Sequence, residues 1–217
     1  MVLTRLRSLA CLLAALLAFP FPSGAFDTPL SDTAVREAYF MGQRHDLRCL
    51  EAYTKSLPVP AKGPHIAAVT FLTPFAQVVQ QTSTRVENYS AQQAQADHRD
   101  VAESVQLIVL INLTPSYGPV ISPGDASRPD IKPVFRPYDF WKDFSVTVFD
   151  GDQPRHLSEF HGRANFGCVR QGNCTLTGAT LEFTFLAASF ASDIAVVQIV
   201  PPEGDPVIVK FNLASLR

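Results

Sequence analysis

Four short constellations in this chain carry side chains able to do chemistry, and each also has an ordinary structural use. His45 and Cys49 are four residues apart. On one helix they share a face, which suits a thiolate–imidazolium pair or half of a metal site. A reduced cysteine is equally a small buried hydrophobe, and no further ligand stands beside this pair in the sequence. His156 and His161 flank an expected strand. Five apart, they point to its opposite faces, so joint metal binding needs a bulge, and both read as surface histidines. Asp150-Gly151-Asp152 sets two carboxylates around a glycine. A calcium loop needs more oxygens at alternate positions, whereas Asp and Gly together make plain turns. Asp97-His98-Arg99-Asp100 has the mixed charge of a solvated helix end. No cofactor is called for: Gly-x-Ser-x-Gly, His-Glu-x-x-His, a Gly-rich phosphate loop and a dinucleotide fingerprint are all absent.

The sharpest signal is aromatic. Phe135, Tyr138, Phe140 and Trp141 close a long irregular stretch, 114–139, with prolines at 115, 119, 123, 129, 133 and 137. A loop of this length inside a domain is usually functional or disordered. Exposed rings would make a platform for a sugar, peptide or partner protein, rimmed by Arg136, Asp139 and Lys142. Alternatively, the rings tie the loop to the core together with Phe144, as large apolar anchors under long loops do. Solvent exposure separates the two.

Stepwise periodicity then sets the elements that must position these groups. Ser31 or Asp32 caps a helix to about residue 41, and a second short helix is expected at 46–56. Residues 57–64 form a stiff Pro-rich connector. A strand at 66–72 is followed by Thr73-Pro74, an N-cap with proline at the first helical position. Phe75, Val78, Val79 and Thr82 then lie on one helix face, and Asn88 ends the helix. Ser90 and Gln93 make a capping box. From Val105 the period becomes two. Strands are expected at 105–113, 144–148, 181–185, 194–200 and 207–213, with one more near 156–160. The 105–113 strand is apolar on both faces in its middle and so belongs in the centre. Residues 201–206 turn the last two strands into a hairpin. The fold class is therefore mainly β (α+β): an antiparallel β-sandwich, immunoglobulin-like or similar, with an N-terminal helical element. The expected organisation is a leader at 1–25, the helical element and connector at 26–64, and the sandwich at 65–217.

Arg5 and Arg7, an apolar run at 9–19, Pro20 and Pro22, and the small residues Ser23-Gly24-Ala25 have the layout of a cleavable signal peptide. The run is too short to span a bilayer, which takes about 20 residues. The mature chain is expected to start at Phe26, to carry no membrane span, and to be periplasmic or extracellular. Losing Arg5 and Arg7 takes the net charge from −2 to −4. With no basic cluster left, nucleic acid is excluded as a partner. In an oxidising compartment Cys168 and Cys174 are the natural disulfide, worth about 2–2.5 kcal/mol for so short a loop, and Cys49 is left over. Arginine outnumbers lysine, a compositional hint of a high-GC bacterial gene.

The segments 30–40, 73–79, 89–94 and 211–217 resemble uncharacterised secreted bacterial proteins. That resemblance implies export and no particular activity. The expected function is an exported, non-catalytic binding or envelope-interaction module, its partner a protein or carbohydrate of the cell envelope. The alternatives are a secreted hydrolase with a site assembled from separated residues, since triads form in space, and a metal-binding protein using His45 and Cys49.

Overall fold

The computed structural model describes residues 25–45, 47–85, 89–125, 127–128, 130–169 and 172–217. In chain order, α1 (Asp32–Gln43) is followed by a 3-10 turn (Leu47–Tyr53), β1 (Thr54–Ser56) and β2 (His65–Leu72). Next come α2 (Pro74–Thr84), α3 (Ala91–Arg99) and β3 (Ser104–Asn112). The irregular stretch contributes β4 (Val120–Ser122), β5 (Val134–Phe135) and a 3-10 turn at Phe140–Asp143. The remaining strands are β6 (Ser145–Asp150), β7 (Gln153–Pro154), β8 (Glu159–Cys168), β9 (Cys174–Leu186), β10 (Ile194–Val200) and β11 (Val207–Asn212).

β3 organises the larger sheet. Its alternate residues Val105, Leu107, Val109 and Ile111 are fully buried, and its other face is half-buried. A strand apolar on both faces is stable only between two neighbours. β3 has them: Val109 stands opposite Val69 of β2 and Leu181 of β9. The order is β1-β2-β3-β9-β8, antiparallel throughout, and a four-stranded sheet runs β11-β10-β6-β7. The inner faces meet through aromatics. Phe71 lies 5.4 Å from Phe211 across the sandwich and 5.5 Å from Phe190, ring centre to ring centre. Each fully buried ring of this size contributes about 1.5–3 kcal/mol. The antiparallel sandwich with helices beside it is thus the fold.

The helices form where their caps specify them. The Ser31, Thr73 and Ser90 hydroxyls accept from the backbone N–H of Ala34, Ala76 and Gln93, and the Ser90–Gln93 capping box is complete. Asn88, the expected stop of α2, lies outside the described residues. α1, α2 and α3 share a second apolar cluster of Leu30, Ala34, Val35, Ala38, Phe75, Val78, Val79 and Ala94. Gly42 is obligatory there, because a Cβ would run into the Val79 carbonyl and the Thr82 hydroxyl.

One expected element changes. The helix expected at 46–56 is a 3-10 turn followed by β1. Tyr53 is drawn into the core, and its hydroxyl donates to the Arg217 carbonyl (3.0 Å) and accepts from the Arg217 N–H (3.1 Å). Thr54 then pairs with Thr70 on β2. Tertiary pairing overrides the helical stripe of Leu47, Leu50 and Tyr53. The segment 26–64 packs on the sandwich: Phe26 enters the main core against Phe190, and the Leu57 N–H donates to the Ala67 carbonyl of β2.

Burial raises the phenols of Tyr53 and Tyr117 above their ordinary 10.0. A raised folded value adds stability below the unfolded value of about 10 and loses it as pH climbs through the folded one. The melting temperature is therefore expected to fall steeply above about pH 10. Tyr53→Phe lowers stability at neutral pH through the lost hydrogen bonds, yet flattens that alkaline fall. Melts from neutral to strongly alkaline pH check this, and an unchanged slope in the variant would contradict it.

Candidate functional site

The stretch 114–139 is a folded hairpin with a clamped stem. Thr114 and Tyr117 exchange backbone hydrogen bonds of 3.3 and 3.1 Å, which turns the Tyr117 ring into the core. The returning strand brings Arg136 beside it. The Arg136 guanidinium lies 3.4 Å over the Tyr117 ring, its Nε donates to the Gly118 carbonyl (2.9 Å), and its backbone N–H donates to the Pro119 carbonyl (2.8 Å). A cation over an aromatic face is worth up to about 2 kcal/mol when desolvated. Beyond this clamp β4 and β5 pair, Val120 opposite Phe135. Arg136 is thus part of the stem rather than of a polar rim.

Outside the clamp the hairpin displays apolar side chains to solvent. Val120, Ile121, Val134 and Phe135 are all exposed, Phe135 at 65%. Tyr138 follows at 69%. Exposed rings on a stiff support lose little conformational freedom on binding, which is what makes aromatic anchors effective.

The four rings read from sequence as one cluster divide in two. Phe135 and Tyr138 face solvent, whereas Phe140 is 2% exposed, packed against Tyr117 (6.2 Å) and Phe144 (6.2 Å). Phe140 is a core residue and takes no part in a surface. Within the 3-10 turn, a three-residue period sends successive side chains about a third of a turn apart. Phe140 goes inward and Lys142 outward, where its ammonium meets Asp139 at 2.9 Å. That hydrogen bond holds the Asp139 carboxyl below its usual range. Trp141 goes sideways and is half-buried on β8. A Cβ at Gly162 would lie 2.6–2.7 Å from three indole carbons, so the indole sits where only glycine allows it.

β8 adds two rings that the cluster reading did not include. Phe160 and Phe166 are both partly exposed large side chains. Phe160 stacks on Phe183 at 4.7 Å and meets Trp141 edge-on at 5.6 Å, while Tyr138 meets Phe166 edge-on at 5.3 Å. The period-two series Phe160, Gly162, Ala164, Phe166 was the available sequence signal. The tip of the β8–β9 hairpin is closed by the Cys168–Cys174 disulfide, as the spacing predicts.

The remaining chemical candidates resolve into structure. His45 is in a turn with φ +53°, after α1 has ended, and Cys49 is in the following 3-10 turn, so the shared helix face does not exist. Cys49 packs on the helical cluster. His156 lies outside any strand, and exposed His161 faces Glu159 at 2.9 Å. Asp150 is buried, accepting from the backbone N–H of Ala191 (3.0 Å) and Ser192 (2.9 Å) and facing Arg155 at 3.3 Å. It holds a turn. Among the described residues no group of three or more His, Cys, Asp and Glu side chains could hold a metal ion.

A concavity of about 470 Å³ between α2, α3 and the start of β3 is lined by Arg85, Tyr89, Asp97, His98, Glu103 and Ser104 among others. It is where a hydrolytic site would be sought. His98 Nε2 stands 2.7 Å from Glu103 Oε1, but the same carboxylate accepts from the Thr28 hydroxyl (2.6 Å) and the Leu30 N–H (2.5 Å). Ser104 donates to Gln77. Glu103 is therefore a tether for the segment ahead of α1, and the charged end of α3 is a clasp: Arg99 pairs with Asp32 of α1, and Asp97 with Arg85 and Tyr89. Among the described residues no helix is long and apolar enough to cross a membrane. No protein-family model matches the chain, and no curated protein matches it.

Proposed function

We propose that this chain is an exported, non-catalytic binding module of the cell envelope whose recognition surface is the β4–β5 hairpin and Tyr138, flanked by Phe166. The observation that carries the reading is the pairing of two highly exposed rings, Phe135 and Tyr138, with a stem clamped by Tyr117 and Arg136. Several large apolar side chains exposed on one well-held hairpin mark an interaction site. Asp139 and Lys142 supply a polar edge. Export is supported by the layout of residues 1–25 and by a disulfide, which persists in an oxidising compartment.

The test is capture from a cell-envelope extract by the immobilised mature chain, with and without Phe135→Ser and Tyr138→Ser. Wild type is expected to retain a protein or polysaccharide species that the double variant loses, at a melting temperature unchanged within about 2 °C. Protease treatment of the extract tells the two classes of partner apart. Equal retention by both forms would sink the reading.

A further inference from the structure

We infer that β8 is the seam of a homodimer: two copies of this chain pair edge to edge, antiparallel, about a two-fold axis at His161. The inference goes beyond the partner reading above and does not depend on it.

The edges of the two sheets are treated very differently. β1 is three residues long, β7 is two residues and ends on Pro154, and β11 carries the exposed Lys210. Shortness, proline and lysine are the usual means of keeping a strand edge from pairing with another chain. β8 has none of them: it runs ten residues, Glu159–Cys168, without proline or lysine. Its strand neighbour is β9 alone. Among the described residues, no backbone hydrogen bond joins 159–167 to any element other than β9. Two large rings, Phe160 and Phe166, stand partly exposed along it.

Charge selects a second copy as the occupant. The bulge at Asn165/Phe166 limits flat pairing to 159–165. A two-fold antiparallel pairing places residues of equal parity opposite each other, and three such registers pair at least five residues within that segment. Centred on Arg163, the pairing sets two arginines face to face. Centred on Gly162, it sets His161 against Arg163 and leaves Glu159 opposite Asn165. Centred on His161, it sets Glu159 opposite Arg163 of the partner subunit, twice by symmetry. Opposite charges across strands stabilise a pair and like charges oppose it, so the edge is self-complementary in one register. In the single chain Glu159 pairs with exposed His161 at 2.9 Å and Arg163 with half-buried Glu182 at the long distance of 3.7 Å, weak contacts that exchange at little cost.

Sedimentation of the mature chain across about 1–100 µM tests this, with near-ultraviolet dichroism as the folding control. The expected result is a monomer–dimer equilibrium that Arg163→Glu weakens by about tenfold or more, with Glu159→Arg doing the same independently. The doubly reversed protein, Glu159→Arg with Arg163→Glu, is expected to recover to within about threefold of wild type. A monomer at every concentration overturns the inference, as does a dimer indifferent to both reversals or one that the double reversal fails to rescue. An extended segment of another protein on this edge would show as a monomer and count against it. A monomeric chain that still captured an envelope component would separate this failure from that of the binding reading.

Discussion

Phe140→Ala is expected to cost about 3–5 kcal/mol, while Phe135→Ala and Tyr138→Ala each stay within about 0.5 kcal/mol. The three rings lie within six residues of one another and differ in what surrounds them. Phe140 is 2% exposed between Tyr117 and Phe144, so truncation opens a cavity that close-packed neighbours fill only in part. Phe135 and Tyr138 leave no cavity when removed, because solvent already covers most of each ring. Urea unfolding of the three variants checks the contrast. Equal losses at all three positions would mean that the hairpin is packed rather than displayed, and the recognition surface would go with it. Phe140→Leu, which keeps most of the volume, should restore part of the loss and so tie the cost to the cavity.

Asp150→Ala is expected to destabilise by a similar amount, about 3–5 kcal/mol, for an electrostatic reason. Its carboxylate is buried and serves three donors: the backbone N–H groups of Ala191 and Ser192 and the Arg155 guanidinium. Removing it leaves the two backbone N–H groups unanswered in a place with little water, and leaves the Arg155 guanidinium, whose Nε is already buried without a partner, only the long 3.5 Å bond to the residue-150 carbonyl. These hydrogen bonds join the second sheet's two central strands, since the acceptor Asp150 ends β6 and the donors Ala191 and Ser192 precede β10. Loss of the carboxylate therefore loosens the entry into β10. Asp150→Asn keeps one acceptor oxygen and should cost less, about 1–3 kcal/mol. If both variants unfold at the wild-type urea concentration, the turn does not depend on this residue.

Much of this was legible in order along the chain. The caps Ser31, Thr73 and Ser90, the central position of β3, the β10–β11 hairpin and the Cys168–Cys174 bridge all follow from residues a few positions apart. The failures share a different cause. The 46–56 segment has a helical stripe, yet Tyr53 is claimed by Arg217, 164 residues away. Glu103, which no sequence motif singles out, tethers Thr28 and Leu30 across more than 70 residues. His45 and Cys49 are at helical spacing with no common helix beneath them.

The sequence by itself determined most of the secondary structure, the sandwich class and the aromatic composition of the 114–139 region, because periodicity, capping and turn chemistry act between near neighbours. Only the tertiary structure decided which rings face solvent. Phe135, Tyr138, Phe140 and Trp141 are alike in type and close in sequence. What sorts them is the Arg136 clamp on Tyr117, the turn at Phe140–Asp143 and the bare backbone of Gly162, contacts that exist only once distant strands have paired.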